Sequence, residues 1–152
     1  MNKPAQKKSS STEALRKLAD KGFATGAEGA SELFNTEGGC VNVNVACTLY
    51  RKPKPVTRQL IDDLIDDGDL IAYRTASGEY SVPVWQFEKG GGVLAGIPEV
   101  LRQLKESDTF EPITPFAFFL QEDPLTDGDT PLQALRDGKL SKVIFAAKYF
   151  AE

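Results

Sequence analysis

The residues from Thr130 to Gly138 encode one complete short helix, and they limit the size of the structure around them. Thr130 can cap the helix start, and Pro131 stands at the first position, where a missing N–H costs nothing. Leu132 and Leu135 fall on one face, and Gly138 supplies a left-handed C-cap. A helix whose two ends are fixed this closely has about two turns. The segment therefore predicts a small core that is assembled from short helices.

The sequence predicts further short helices on both sides of this one. Ile97 to Lys105 has a proline near its first position and four apolar residues on one side. Phe116 to Leu120 is too aromatic to remain exposed, and Ser141 is expected to cap a last helix with an apolar stripe. Short helices bury a core only by packing on one another and on a second copy of the chain. A homodimer is therefore expected as well.

The overall composition is that of an ordinary globular protein. The chain has 152 residues, of which 41% are hydrophobic and 26% charged, enough for one domain or two small modules. It contains no run of 18 apolar residues, and its basic N-terminus lacks the apolar core of a secretory signal. We therefore expect a soluble, cytoplasmic protein that has no membrane contact.

The residues needed for most kinds of catalysis are missing. Histidine is absent, which removes Ser-His and Cys-His nucleophiles and histidine-containing zinc sites. Cys40 and Cys47 are seven residues apart, which is not a metal-binding spacing. No glycine-rich phosphate-binding motif occurs, and Gly90 to Gly92 is expected to be a flexible connector. We expect neither an enzyme nor a bound cofactor or metal.

Charge divides the chain into three parts. Residues 1–25 carry six Lys or Arg against two acids, and we expect a basic arm that is partly disordered. Residues 26–87 carry five against nine, and residues 88–152 carry seven against eleven. We expect the second part to be a winged helix-turn-helix-like module and the third a helical module. The predicted fold class is mainly α with a small β-hairpin wing.

The pattern of the middle module supports this architecture. Thr57 can cap a helix that ends at Gly68, with Leu60, Ile61, Leu64 and Ile65 facing inward. Two strand-like segments follow, Leu70 to Arg74 and Tyr80 to Phe87, joined by a polar turn. The stretch before Leu49 is ambiguous, because Val45, Ala46 and Leu49 suit a helix while alternating valines suit a strand.

Two stretches of this module carry a resemblance to known DNA-binding proteins. Val56 to Gln59 and Gly68 to Arg74 resemble the start of the recognition helix and the entry to the wing in excisionase- and MerR-like domains. The resemblance implies that this middle module, which we call the head, binds operator DNA. The candidate DNA-contacting residues are Arg51, Lys52, Lys54, Thr57, Arg58 and Arg74.

One feature departs from those domains. A recognition helix normally presents basic or amide side chains to DNA, whereas this one carries Asp62, Asp63, Asp66 and Asp67. These carboxylates repel the phosphate backbone. The alternative interpretation is therefore a protein-interaction adaptor that kept the helix-turn-helix fold and lost DNA binding.

The segment from Thr114 to the C-terminus resembles the toxin-binding domain of the Xre/MbcA/ParS-type bacterial antitoxins, whose pattern includes "TPL" and a leucine-arginine turn that ends in glycine. The resemblance implies a protein that sterically blocks a cognate toxin through its last helices. The candidate partner-binding residues are Arg136, Lys139, Lys142, Lys148 and Tyr149. Because the hydrophobic pattern of the head closes by Phe87, truncation after Gly138 is expected to leave the head folded.

Overall fold

The computed structural model describes residues 35–50 and 56–150 of the chain. The basic arm and residues 51–55, which include Arg51, Lys52 and Lys54, lie outside the described residues.

A three-stranded antiparallel sheet and two helices form the head. The strands are β1 (Cys40–Val41), β2 (Tyr73–Arg74) and β3 (Tyr80–Pro83), and β3 lies in the middle of the order β1-β3-β2. Cys40 pairs with Pro83, and Arg74 pairs with Tyr80. Helices α1 (Val43–Leu49) and α2 (Arg58–Asp66) pack on each other, and α1 also contacts β3. This arrangement is a helix pair with a hairpin wing.

Side-chain caps set where the two head helices begin. The ambiguous stretch forms both structures, since strand β1 ends at Val41 and the Asn42 carboxamide oxygen accepts from the Val45 N–H at 2.9 Å to start α1. The predicted Thr57 cap is confirmed, because its hydroxyl oxygen accepts from the Leu60 N–H at 3.2 Å. Gly68 follows the end of α2, as predicted.

The hairpin strands are shorter than the sequence predicts. Strand β3 ends at Pro83, and Val84–Gln86 forms a 3-10 turn instead of continuing the strand. Trp85 and Gln86 are both buried, whereas successive residues of a strand with one solvated face would alternate between core and solvent. The turn directs the indole of Trp85 into the core of the C-terminal helices.

Four helices follow: α3 (Ile97–Lys105), α4 (Thr114–Phe119), α5 (Pro131–Arg136) and α6 (Leu140–Phe150). The Thr130 cap of α5 is confirmed by a 3.1 Å bond from the Gln133 N–H, and Gly138 has the predicted left-handed conformation, with φ at +83°. The prediction that Ser141 caps the last helix is wrong. Helix α6 begins at Leu140, so Ser141 lies inside it, and the Val143 N–H donates to the Lys139 carbonyl.

Two hydrophobic clusters share the described part of the chain. The smaller one centres on Ala46, Ile61 and Val82 of the head, and the larger one on helices α3 to α6. Ile71 and Trp85 belong to the larger cluster although they precede residue 88. The expectation that the hydrophobic pattern of the head closes by Phe87 is therefore wrong.

The connection between the clusters is an ordered turn. The Glu88 N–H donates to the Gly92 carbonyl at 2.7 Å, the Gly91 N–H donates back to Glu88 at 3.0 Å, and Phe87 bridges to Val93. The flexible connector predicted here is thus closed by hydrogen bonds. The division of the chain into modules at residue 88 stays a prediction.

The predicted fold class, mainly helical with a small hairpin wing, is confirmed. Across residues 35–50 and 56–150, no helix is both long enough and apolar enough to cross a membrane.

Candidate functional site

A polar groove of about 440 Å³ lies between the two head helices and the wing. Helix α2 contributes Arg58, Asp62 and Asp66, which recur every four residues and so share one helix face. The start of α1 forms a second wall and the wing a third. Their polar lining residues are Asn42, Asn44, Arg74, Glu79 and Tyr80, and α2 also adds Gln59.

Two arginines come from different elements of this groove. Arg58 is the first residue of α2, at the positive end of the helix dipole. Arg74 lies on the wing with its guanidinium carbon 5.0 Å from the centroid of the Tyr80 ring, which is cation–π distance. Within the described residues, neither guanidinium forms an ion pair. Both are exposed and free to meet an anionic ligand.

The groove also contains carboxylates. Asp62, Asp66 and Glu79 line it together with the two arginines, which gives these five residues a net charge of −1. Asp63 and Asp67 are exposed outside this lining. The acidic face of α2 is therefore divided, and only two of its four aspartates share the groove with arginines.

Not every apolar residue of α2 faces inward. Ile61 is fully buried, while Leu60 is 37% exposed, so its prediction as a core residue is wrong. Leu60 follows two exposed polar residues, Arg58 and Gln59, so the whole first turn of the helix is exposed.

Three of the predicted DNA-contacting residues belong to this region: Thr57, Arg58 and Arg74. The Thr57 hydroxyl is occupied by capping α2. Arg51, Lys52 and Lys54 lie outside the described residues. Asn42, Asn44 and Gln59 also line the groove but were not predicted as site residues. Their amide side chains, and the position of Gln59 next to Arg58, are the features of the sequence that point to them.

Three of the predicted partner-binding residues are engaged within the chain. Arg136 donates to Glu37 at 3.1 Å, which ties the end of α5 to the 3-10 turn Thr36–Gly38. Lys139 and Lys142 both donate to Asp127, at 3.2 and 2.8 Å. The hydrogen bond from Lys142, followed by that from Lys139, lowers the pKa of the Asp127 carboxyl.

The other two predicted residues lie on an exposed face of α6. Lys148 and Tyr149 are solvent-exposed, and the Tyr149 ring lies 5.7 Å from that of Phe145. Phe145 is 56% exposed, more than the other exposed large apolar residues of the described chain. We call Phe145, Lys148 and Tyr149 the α6 patch. Phe145 is not among the residues predicted from the sequence, although its position four residues before Tyr149 places both on one helix face.

The cysteines are free thiols in the head. Cys40 lies on β1 and Cys47 on α1, and no disulfide joins them. Burial raises the pKa of the Cys40 thiol to about 11, so it stays protonated at neutral pH. The half-buried, protonated thiol of Cys40 is unsuited to act as a nucleophile.

The fold of this chain is similar to that of a solved structure. No family model matches the chain, and no curated protein matches it. The NMR structure of Rv2175c is similar with a TM-score of 0.62, and the match covers 78% of this chain and 84% of that chain. The two sequences are 19% identical, so the similarity is one of fold alone.

Proposed function

We propose that this protein is an antitoxin-like regulator whose head binds operator DNA and whose C-terminal helices bind and block a cognate toxin. The observation that carries the DNA-binding part is the groove, where Arg58 of α2 and Arg74 of the wing line one open surface. In winged helix-turn-helix proteins a helix reads base edges while neighbouring elements hold the phosphate backbone.

The residue types in the groove suit this division of labour. The guanidinium groups of Arg58 and Arg74 are phosphate ligands. Asn44 and Gln59, both exposed, carry carboxamides of the kind that recognise adenine in the major groove. The Gln59 amide nitrogen donates to Asp63 at 2.9 Å, which restrains the side chain beside Arg58.

The adaptor alternative rests on Asp62 and Asp66. Carboxylates facing the phosphate backbone oppose the attraction that the arginines supply, and this repulsion grows as salt is lowered. A head with a net negative groove suits a basic protein partner as well. The two functions therefore differ in how the head responds when these charges are removed.

The DNA-binding test is a titration of labelled duplex by fluorescence anisotropy, from about 50 to about 200 mM salt. We expect R58A and R74A each to weaken binding and to reduce the slope of log K against log salt by about 0.9, the value for one lost phosphate contact. R102A, which removes an exposed arginine of α3 outside the groove, is the matched control and should leave the slope unchanged.

The aspartates decide between the two functions in the same assay. D62N/D66N should strengthen duplex binding, because it removes repulsion without changing side-chain volume. Absence of wild-type binding, with binding gained only in the Asn variant, would favour the adaptor. Weaker binding by the Asn variant would mean that the carboxylates contact bases or organise the site.

The α6 patch supports the toxin-binding part. An adjacent exposed aromatic pair, with the exposed Lys148 beside it, has the composition of an interface anchor, since aromatic side chains are enriched at protein interfaces. Arg136, Lys139 and Lys142 are ion-paired within the chain, whereas the residues of the α6 patch are exposed.

Co-purification with the product of an adjacent gene tests this part. F145A/Y149A is expected to lose the partner while the chain stays folded, because both side chains are exposed. V45A, which shortens an exposed apolar residue of the head, is the control and should retain it. Equal recovery by all three proteins would exclude the α6 patch as the contact.

A homodimer belongs to the same proposal, because two heads reading two half-sites is the usual arrangement for operator binding. Sedimentation equilibrium of the free protein measures it, and a monomer at every concentration would exclude it.

A further inference from the structure

The wing strand that carries Arg74 has little backbone support of its own. Strand β2 consists of Tyr73 and Arg74 and, among the residues that the structure describes, pairs only with β3, which makes it an edge strand of this sheet. Successive side chains of a strand point to opposite faces. Arg74 faces the groove and Tyr80, while Tyr73 faces the core of the C-terminal helices.

Tyr73 is held there by an aromatic contact with helix α4. Its ring meets the ring of Phe116 edge to face, with centroids 6.3 Å apart. Phe116 is fully buried and is fixed in turn by Trp85, whose ring centroid lies 5.9 Å away at an interplanar angle of 85°. Residues from α4, β2 and the turn after β3 thus form one aromatic cluster.

A buried amide fixes the segment that leads into β2. The Gln86 side chain is fully buried, accepts from the Ile71 N–H at 2.7 Å and donates to the Ile71 carbonyl at 2.8 Å. It also donates to the Pro83 carbonyl at 3.1 Å. These bonds replace the ladder bonds that Ile71 would make in a longer strand. The backbone of Ile71, two residues before β2, is therefore held against the turn that follows β3.

We infer that the C-terminal helices position the wing for DNA binding, with Phe116 acting through Tyr73 to hold Arg74 at the edge of the groove. Tyr73 and Phe116 are positioning residues, and Arg74 makes the contact. The inference rests on the proposed DNA binding by the head. It assigns the C-terminal helices a role in the head's own activity besides partner binding.

The experiment is a double-mutant cycle in the duplex titration of the full chain. Y73L keeps a shorter apolar side chain and removes the ring, whereas Y73F retains the ring. We expect Y73L to lower the affinity by the same factor as R74A and to reduce the salt slope by about 0.9, as for one lost phosphate contact. The double variant Y73L/R74A should bind no more weakly than R74A alone, and Y73F should keep the wild-type slope.

A core substitution outside the wing separates positioning from general loss of stability. F150L removes the ring that meets Phe118, with centroids 5.3 Å apart, in the same C-terminal core. It should lower the unfolding midpoint and leave the salt slope unchanged, whereas F116L should lower both.

The outcomes of the cycle are distinguishable. Wild-type binding with independent, multiplying effects of Y73L and R74A would overturn the positioning role and leave the proposed function standing. An unchanged salt slope in both Y73L and F116L would overturn it in the same way. Absence of duplex binding by wild type at about 50 mM salt would overturn the proposed DNA binding and this inference together.

Discussion

At the scale of single residues, Gln86 shows how one buried amide replaces secondary structure. Its side chain satisfies both backbone groups of Ile71, which is itself 2% exposed. Buried polar groups need partners, and a segment between α2 and the wing has no strand beside it to provide them. Sequence patterning gave no sign of this role, because Gln86 stood in a predicted strand.

We expect Gln86→Leu to lower the free energy of unfolding by about 1–3 kcal/mol, because it leaves two buried backbone groups of Ile71 unpaired. Urea denaturation measures the change. Gln103→Leu is the control, since that side chain makes only an exposed 3.5 Å bond to Glu106 and its loss should cost less than about 0.5 kcal/mol. Equal effects of the two substitutions would contradict the role assigned to Gln86.

The carboxyl of Asp127 provides a second residue-scale prediction. Its folded-state pKa lies below the ordinary value, owing first to the hydrogen bond from Lys142. The associated stabilisation is present above the ordinary pKa of aspartate and is lost as pH falls through the lowered pKa. In an NMR titration, Lys142→Met should move the Asp127 midpoint up towards the ordinary value. Lys148→Met should not move it, and an unchanged midpoint in Lys142→Met would contradict the assignment.

At the scale of elements, helix ends follow local rules while helix contacts do not. The caps at Thr57 and Thr130 act within one turn, so the sequence predicted them. Gly96 also precedes a helix, but a side chain at this position is excluded by residues of α5 and α6, which lie far along the chain. It has φ at +99°, and an added Cβ would lie 2.7 Å from Leu135 Cδ1 and 2.8 Å from Leu140 Cδ1. Residues far along the chain therefore impose this glycine.

Gly96→Ala and Gly138→Ala separate the cost of placing a Cβ at positive φ from the cost of a clash with distant side chains. Both place a Cβ at positive φ, for about 1–2 kcal/mol each. Nothing lies within 4 Å of the Cβ at Gly138, so only Gly96→Ala adds a clash with α5 and α6. We expect the larger loss of stability for Gly96→Ala in thermal denaturation. A larger loss for Gly138→Ala would mean that the leucines relax freely.

At the scale of the whole molecule, the aromatic cluster makes the head and the C-terminal helices interdependent. Trp85 is 3% exposed and contacts Phe116 and Phe119, with ring centroids at 5.9 and 5.5 Å. Helix α6 covers the same core through Val143, Ala146 and Ala147. Truncation after Gly138 therefore exposes part of the core on which the wing rests.

Trp85 is the single tryptophan of the chain and reports on this interdependence. In a fragment that ends at Gly92, the indole loses both phenylalanine neighbours, so its fluorescence emission should shift to longer wavelength. The full chain in native buffer is the reference, and the same chain in urea marks the fully exposed limit. Native-like emission from the fragment would show that the head folds without the C-terminal helices.

The sequence alone determined the features that depend on neighbouring residues. Pro98 and the period of apolar residues predicted the bounds of α3, and the Thr130 cap fixed the start of α5, because these signals act among neighbouring residues. The period of apolar residues gave the helical class and the hairpin wing. The chemical types at Arg58 and Arg74 indicated where an anion could bind.

Only the tertiary structure decided which residues far apart in the sequence contact one another. Glu37 and Arg136 are 99 residues apart, and their ion pair engages a predicted partner-binding cation within the chain while its side chain stays partly exposed. Long-range packing also drew Trp85 into the C-terminal core, left Leu60 and Phe145 exposed, and brought two aspartates into the groove beside the arginines. Periodicity assigns a side chain to a face of its helix, but the neighbour that covers this face is set by the packing of distant segments.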